Sequence, residues 1–143
     1  MRPKEKRVLG ENSWIVSNPQ IELTLTKRGG QMAPVTFFRD SAKPIQPYYV
    51  SPWAEEAEKP AVEVLKPLRG DFFCMPFGGD NAYGKEDHPV HGDTASGEWS
   101  FSYLLREGDI TDFALTMTTT SRPGEVTKRF RLKEGHNVLY IQH

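Results

Sequence analysis

Strict alternation of apolar and polar residues recurs along this chain and leaves it few folds to choose from. Ile21, Leu23 and Leu25 alternate with Glu22, Thr24 and Thr26. Trp99, Phe101, Tyr103 and Leu105 repeat the pattern, as do Phe113, Leu115 and Met117 against Ala114, Thr116 and Thr118. Val126, Phe130 and Leu132 then share one face, with Thr127, Arg129 and Arg131 on the other. A period of two is the signature of a half-buried strand, because successive side chains point to opposite faces. Turn residues punctuate these runs: Ser17-Asn18-Pro19-Gln20, Gly29-Gly30, Gly108-Asp109 and Arg122-Pro123-Gly124. Short strands are expected at Trp14–Val16 and Val35–Arg39, and a last one at Asn137–Gln142. Almost no helix is expected. Long antiparallel strands joined by short turns bury one face each by packing sheet on sheet, so the expected fold is an all-β antiparallel sandwich.

Two stretches break the rhythm. Residues 40–67 hold five prolines and the acidic run Glu55-Glu56-Ala57-Glu58. Proline lacks the N–H that a central strand must donate, so this is read as a surface loop with one short strand near Val62–Leu65. Tyr48, Tyr49 and Trp53 are expected to pin it to the body, since buried aromatics mostly serve packing. Residues 68–99 are the second break. They mix Arg69, paired glycines, His88, His91 and several acids with Phe72, Phe73 and Phe77. A long irregular segment between regular strands is more often a site than a connector.

Composition narrows the chemistry. The 143 residues fit one domain, 1–143. Eighteen basic and nineteen acidic residues leave a net charge of −1, so nucleic acid is not an expected partner. The cluster Lys128, Arg129 and Arg131 is read as a solvated strand face. One cysteine, Cys74, permits no intrachain disulfide and fits the cytoplasm. The N-terminus has no signal-peptide core, and no apolar run is long enough to cross a membrane.

Within residues 68–99 the reactive types can be weighed in turn. His88 and His91, with Asp87 and Asp93, invite a metal, but Pro89 and Gly92 make the segment a loop without the usual ligand geometry, and no metal is expected. Cys74 lies among Phe72, Phe73, Met75 and Phe77, surroundings that raise a thiol pKa. The glycines lack the Lys-Ser/Thr of a phosphate loop. Sugar chemistry fits better. Hydroxyls pair with Arg, His, Asp and Asn, sugar C–H faces pack on aromatic rings, and histidine titrates near neutrality.

The order Arg69-Gly70-Asp71-Phe72-Phe73-Cys74-Met75-Pro76-Phe77-Gly78, then His88-Pro89-Val90-His91-Gly92-Asp93-Thr94-Ala95, then Trp99, resembles the galactose mutarotase-like superfamily, in particular its aldose 1-epimerase family. The resemblance runs from about Trp14 to the end of the chain. It implies a β-sandwich of the supersandwich type with a sugar cleft on a concave sheet. It also implies interconversion of hexose anomers by acid/base ring opening, without a cofactor. By the same resemblance His91 is the catalytic histidine of the His-Gly motif, and Arg69 is a sugar-binding arginine. Asn81, Asp93 and Trp99 complete the expected substrate contacts. The family's second histidine and its glutamate fall outside this sequence, and Asn137–His143 reads as a strand cut short, so the chain is expected to be the N-terminal portion of such a protein. The alternative is a non-catalytic carbohydrate-binding or regulatory module on the same scaffold. Half a sandwich would leave a sheet face or edge uncovered, so a homodimer, or another chain covering it, is expected.

Overall fold

The computed structural model of the chain describes residues 1–79 and 87–143. They form two antiparallel four-stranded sheets, each a meander in sequence order. The first holds β1 (Lys4–Val8), β2 (Glu11–Ser17), β3 (Glu22–Thr26) and β4 (Met32–Thr36). The second holds β5 (Ser100–Glu107), β6 (Ile110–Thr119), β7 (Gly124–Lys133) and β8 (Leu139–Gln142). Antiparallel neighbours need only tight turns, and the sequence supplies them. At the β2–β3 corner the Asn18 carboxamide oxygen accepts the N–H groups of Gln20 and Ile21 at 3.0 and 2.7 Å. The Asn18 amide reaches across to the Lys133 carbonyl at 3.1 Å, tying the corner to the second sheet.

One apolar cluster joins the sheets. Trp14, Val16, Leu23, Leu25, Met32 and Val35 come from the first, and Leu104, Phe113, Leu115, Val126, Phe130 and Leu132 from the second. Phe113 stands at its centre, with Trp14, Phe101 and Phe130 rings 6.0–6.4 Å away. The expected alternation through β5 fails partway. A bulge between Phe101 and Tyr103 shifts the register, and one extra residue moves every later side chain to the other face. Leu104 therefore enters the core while Leu105 stays about half exposed. Strand β1 was not foreseen. Its sequence KEKRV has no apolar alternation because it is an edge strand with mostly exposed side chains.

The loop at residues 40–67 carries two 3-10 turns, Pro52–Glu55 and Glu63–Leu65. The second replaces the short strand expected near Val62–Leu65. The Leu65 carbonyl accepts from the Trp53 indole N–H at 2.7 Å instead of from a neighbouring strand. Trp53 thus fastens the loop to itself and Tyr48 packs against the core, whereas Tyr49 is exposed.

Candidate functional site

Residues 69–79 leave the loop and lie along the open side of β4. The Met32 N–H donates to the Asp71 carbonyl at 2.8 Å, and the Gly70 N–H to the Tyr49 carbonyl at 2.7 Å. The segment then meets residues 87–92 through a parallel bridge between Met75 and Gly92. Gly92 has φ +79, and a Cβ there would sit 2.3 Å from the Met75 carbonyl, so only glycine permits this approach. The helical turn Asp93–Ser96 follows and leads into β5.

His91 is held at this junction. Its N–H donates to the Gly78 carbonyl at 2.7 Å, and its φ of +63 is unusual for a side chain of this size. The imidazole meets the Phe72 ring edge-on, with centroids 5.9 Å apart. Its Nδ1 is shielded from solvent and finds no hydrogen-bond partner among the described residues. A shielded polar atom without a partner is costly to the fold and points to a missing one.

The other sequence-derived site residues are placed differently. Arg69 is 2% exposed. Its guanidinium donates to the carbonyls of Pro67 at 2.9 Å, Val8 at 3.1 Å and Leu9 at 2.8 Å, which clamps the β1–β2 turn to the segment. Asp93 accepts the N–H groups of Thr120 and Ser121 and the Ser121 hydroxyl at 2.7–2.8 Å, fixing the β6–β7 turn. Burial works to raise the Asp93 pKa, but these donors outweigh it and hold the carboxyl below its ordinary value. Trp99 is buried in the sheet-to-sheet cluster under the Gly30 turn, and its indole N–H donates to the Thr94 carbonyl at 3.0 Å. Thus the polar side-chain atoms of Arg69, Asp93 and Trp99 are engaged with the protein. Asn81 lies outside the described residues. Nor do the acids and histidines of residues 87–93 gather as a cluster: His88 Nδ1 faces the Pro89 carbonyl at 3.0 Å, and Asp93 is taken up by the β6–β7 turn.

A second group of titratable residues sits at the open end of the sandwich, and the sequence reading missed it. Lys128 is not part of a solvated face. It is 1% exposed, in phase with the buried Val126, Phe130 and Leu132. That phase was the available signal, overruled by the general expectation that lysines are exposed. Its Nζ donates to the Gly30 carbonyl at 3.2 Å and lies 5.4 Å from the Phe130 ring centroid. Gln142 pairs with Arg129, which sets His143 beside Lys128. The His143 ring stacks on Phe73, with centroids 4.2 Å apart and planes 12° from parallel. Burial, with the Lys128 charge, lowers the His143 pKa, while Asp71 opposes. Burial and Asp71 together raise both the Cys74 thiol and the Tyr48 hydroxyl. Phe72 and Phe73, adjacent in sequence, thus carry one imidazole each, His91 on the first and His143 on the second.

No family model matches the sequence, and no curated protein matches it. A solved structure does match: YeaD of Salmonella typhimurium, described as a candidate mutarotase. The TM-score is 0.65 at 12% identity, over 92% of this chain and 43% of that one. At this identity the likeness concerns the fold: this chain has a mutarotase-like β-sandwich fold and spans less than half the length of the YeaD chain.

Proposed function

We propose that this chain carries part of the sugar site of a carbohydrate-binding protein of the aldose 1-epimerase type, which interconverts hexose anomers by acid/base ring opening; the family's second histidine and its glutamate are not among the residues of this sequence. A base takes the anomeric hydroxyl proton as an acid protonates the ring oxygen. The ring opens, the aldehyde rotates and the ring closes on its other face. No cofactor takes part. His91 is the catalytic-site residue assigned to contact the sugar and help orient its ring, because its Nδ1 has no hydrogen-bond partner among the described residues. That unpartnered Nδ1, at the His-Gly motif of a mutarotase-like fold, is the observation that carries the reading. Arg69, Asp93 and Trp99 serve through their bonds to the protein, and Asn81 is kept as a sugar contact. The setting assigned is the cytoplasm, where a single thiol stays reduced. No helix among the described residues is long and apolar enough to cross a membrane.

A second reading, sugar binding without turnover, is favoured by one observation. Among the sequence-derived residues the structure describes, His91 alone keeps a polar side-chain atom uncommitted to the protein. Polarimetry on freshly dissolved α-glucose and α-galactose separates the two readings. Faster decay of rotation than in buffer, lost in His91→Ala, is expected for the epimerase. Buffer rates with calorimetric binding leave the binding module. If neither turnover nor binding is seen, or if His91→Ala binds sugar as tightly as the parent, the assignment is wrong.

A further inference from the structure

Strand register fixes what the outer face of the second sheet presents. Directly opposed residues of an antiparallel ladder share a face, so Tyr103, Ala114, Arg129 and Gln142 form one row across β5 to β8. Asp112, Arg131 and Tyr140 stand in the next row, and Lys133 in the row beyond, opposite Ile110. Ala114 is short and fully buried, so its side chain raises nothing between Tyr103 and Arg129. The result is an open depression of about 520 Å³ that reaches from Tyr103 to Tyr140, room enough for a small ligand. No residue of the 69–93 segment lines it, so it is separate from the His91 loop.

The charges of the lining select the ligand. Three cations, Arg129, Arg131 and Lys133, face one carboxylate, Asp112. Both Asp112 oxygens accept from Arg131, at 2.7 and 2.8 Å, so that pair is spent on itself. Lys133 has the Asp109 carboxylate at the long distance of 3.8 Å. The exposed Arg129 guanidinium makes no hydrogen bond to any described residue. Its planar fork of donors matches the oxygens of a phosphate. The tyrosines supply the other half of a site: Tyr140 is 50% exposed, and phenol rings pack on the faces of other rings. We propose that the depression binds a small ring-bearing phosphate ester, with the phosphate on Arg129 and Lys133 and the ring against Tyr103. A sugar phosphate and a nucleotide both carry this chemistry. The site does not depend on the sugar reading of His91.

The test is calorimetric titration of the full chain at low salt with AMP, ribose 5-phosphate, adenosine and inorganic phosphate. At least one of the two esters is expected to bind with a Kd of about 1 mM or tighter. Added salt should weaken the binding, because the charges are exposed. Arg129→Gln is expected to weaken the ester about tenfold, the loss of a charge-assisted contact. Arg129 is exposed and holds no other element, so circular dichroism of this variant should match the parent. Tyr103→Ala is expected to weaken the ester several-fold and inorganic phosphate not at all, and His91→Ala to change neither. Ribose 5-phosphate binding as tightly as AMP supports a sugar phosphate as the ligand, and tighter binding of AMP supports a nucleotide. Binding of neither ester by the parent overturns the proposal. So does adenosine binding as tightly as AMP, ester binding indifferent to Arg129→Gln, or ester binding lost in His91→Ala, which would move the phosphate to the His91 loop.

Discussion

Asp93 and Lys128 are both buried ionisable groups, and their surroundings act on them in opposite senses. Around Asp93 the donors of Thr120 and Ser121 outweigh desolvation and favour the charged form. Around Lys128 desolvation prevails and the charged form is disfavoured. A lysine whose pKa falls from 10.5 to about 8 on folding costs stability wherever the unfolded chain would hold the proton. The full cost, about 3 kcal/mol, applies below pH 8 and fades as pH rises toward 10.5. Replacing Lys128 with methionine removes that cost but leaves the Gly30 carbonyl without its donor, an offset of about 1 kcal/mol. Lys128→Met is therefore expected to be more stable than the parent by about 2 kcal/mol at pH 7, by the balance of those two effects. The advantage should shrink at pH 9.5. Cys74 and Tyr48, whose pKa values are raised, pull the other way at high pH, but they are present in both proteins and cancel in the difference. Urea titrations of the pair at pH 7 and 9.5 measure it. An advantage that does not depend on pH would show that Lys128 is not a desolvated amine.

Elements in this chain are positioned by what pairs with their backbones. The His91 loop is held to the 71–79 segment by the Met75–Gly92 bridge and the His91 N–H to the Gly78 carbonyl. Gly92→Ala must push the Met75 carbonyl away while also straining a left-handed φ. The expected loss is about 2 kcal/mol, in the range of a misplaced Cβ at positive φ. A shift of the His91 imidazole resonances, with those of Trp14 in the core unmoved, would place the damage in the loop. Unchanged stability and spectra would mean that the close approach does not occur. The strands were legible where alternation was unbroken, as in β3, β6 and β7, and less so where geometry intervenes. In β5 the bulge at Phe101–Tyr103 reverses the phase, and in β1 an edge position removes the need for apolar residues. At the site, side-chain type suggested ligands at Arg69, Asp93 and Trp99. Whether a donor is free depends on partners that spacing does not reveal, such as the Leu9 carbonyl 60 residues upstream of Arg69. A motif singled out His91 as a candidate, whereas Lys128 was hidden by its type although its phase placed it inside.

At the scale of the whole molecule the exposed sheet edges differ in what they offer a second copy. Strand β1 carries Lys4, Glu5, Lys6 and Arg7, whose charges discourage edge-to-edge pairing. Strand β4 has Pro34 and is partly covered through the Met32–Asp71 bridge. Strand β5 is bent by its bulge and ends on Arg106 and Glu107. Strand β8, Leu-Tyr-Ile-Gln, has no charge, and among the described strands it is paired along one side alone, with β7. Exposed, uncharged edge strands are templates for pairing, and two β8 strands meeting antiparallel about a two-fold axis would join two sheets into one of eight strands. The outer depression beside it brings Tyr140 and Tyr103 to the same face. Association is therefore expected through β8. Light scattering should show a dimer at tens of micromolar, a range set by the modest area that one strand pair and its flanking side chains bury. Tyr140→Lys should return the protein to monomer by placing like charges near each other across the axis, whereas Lys6→Glu on β1 should leave the dimer intact. A monomer throughout that range, or a dimer indifferent to Tyr140→Lys, rules out β8 as the contact and leaves the edge closed by the protein's own surroundings.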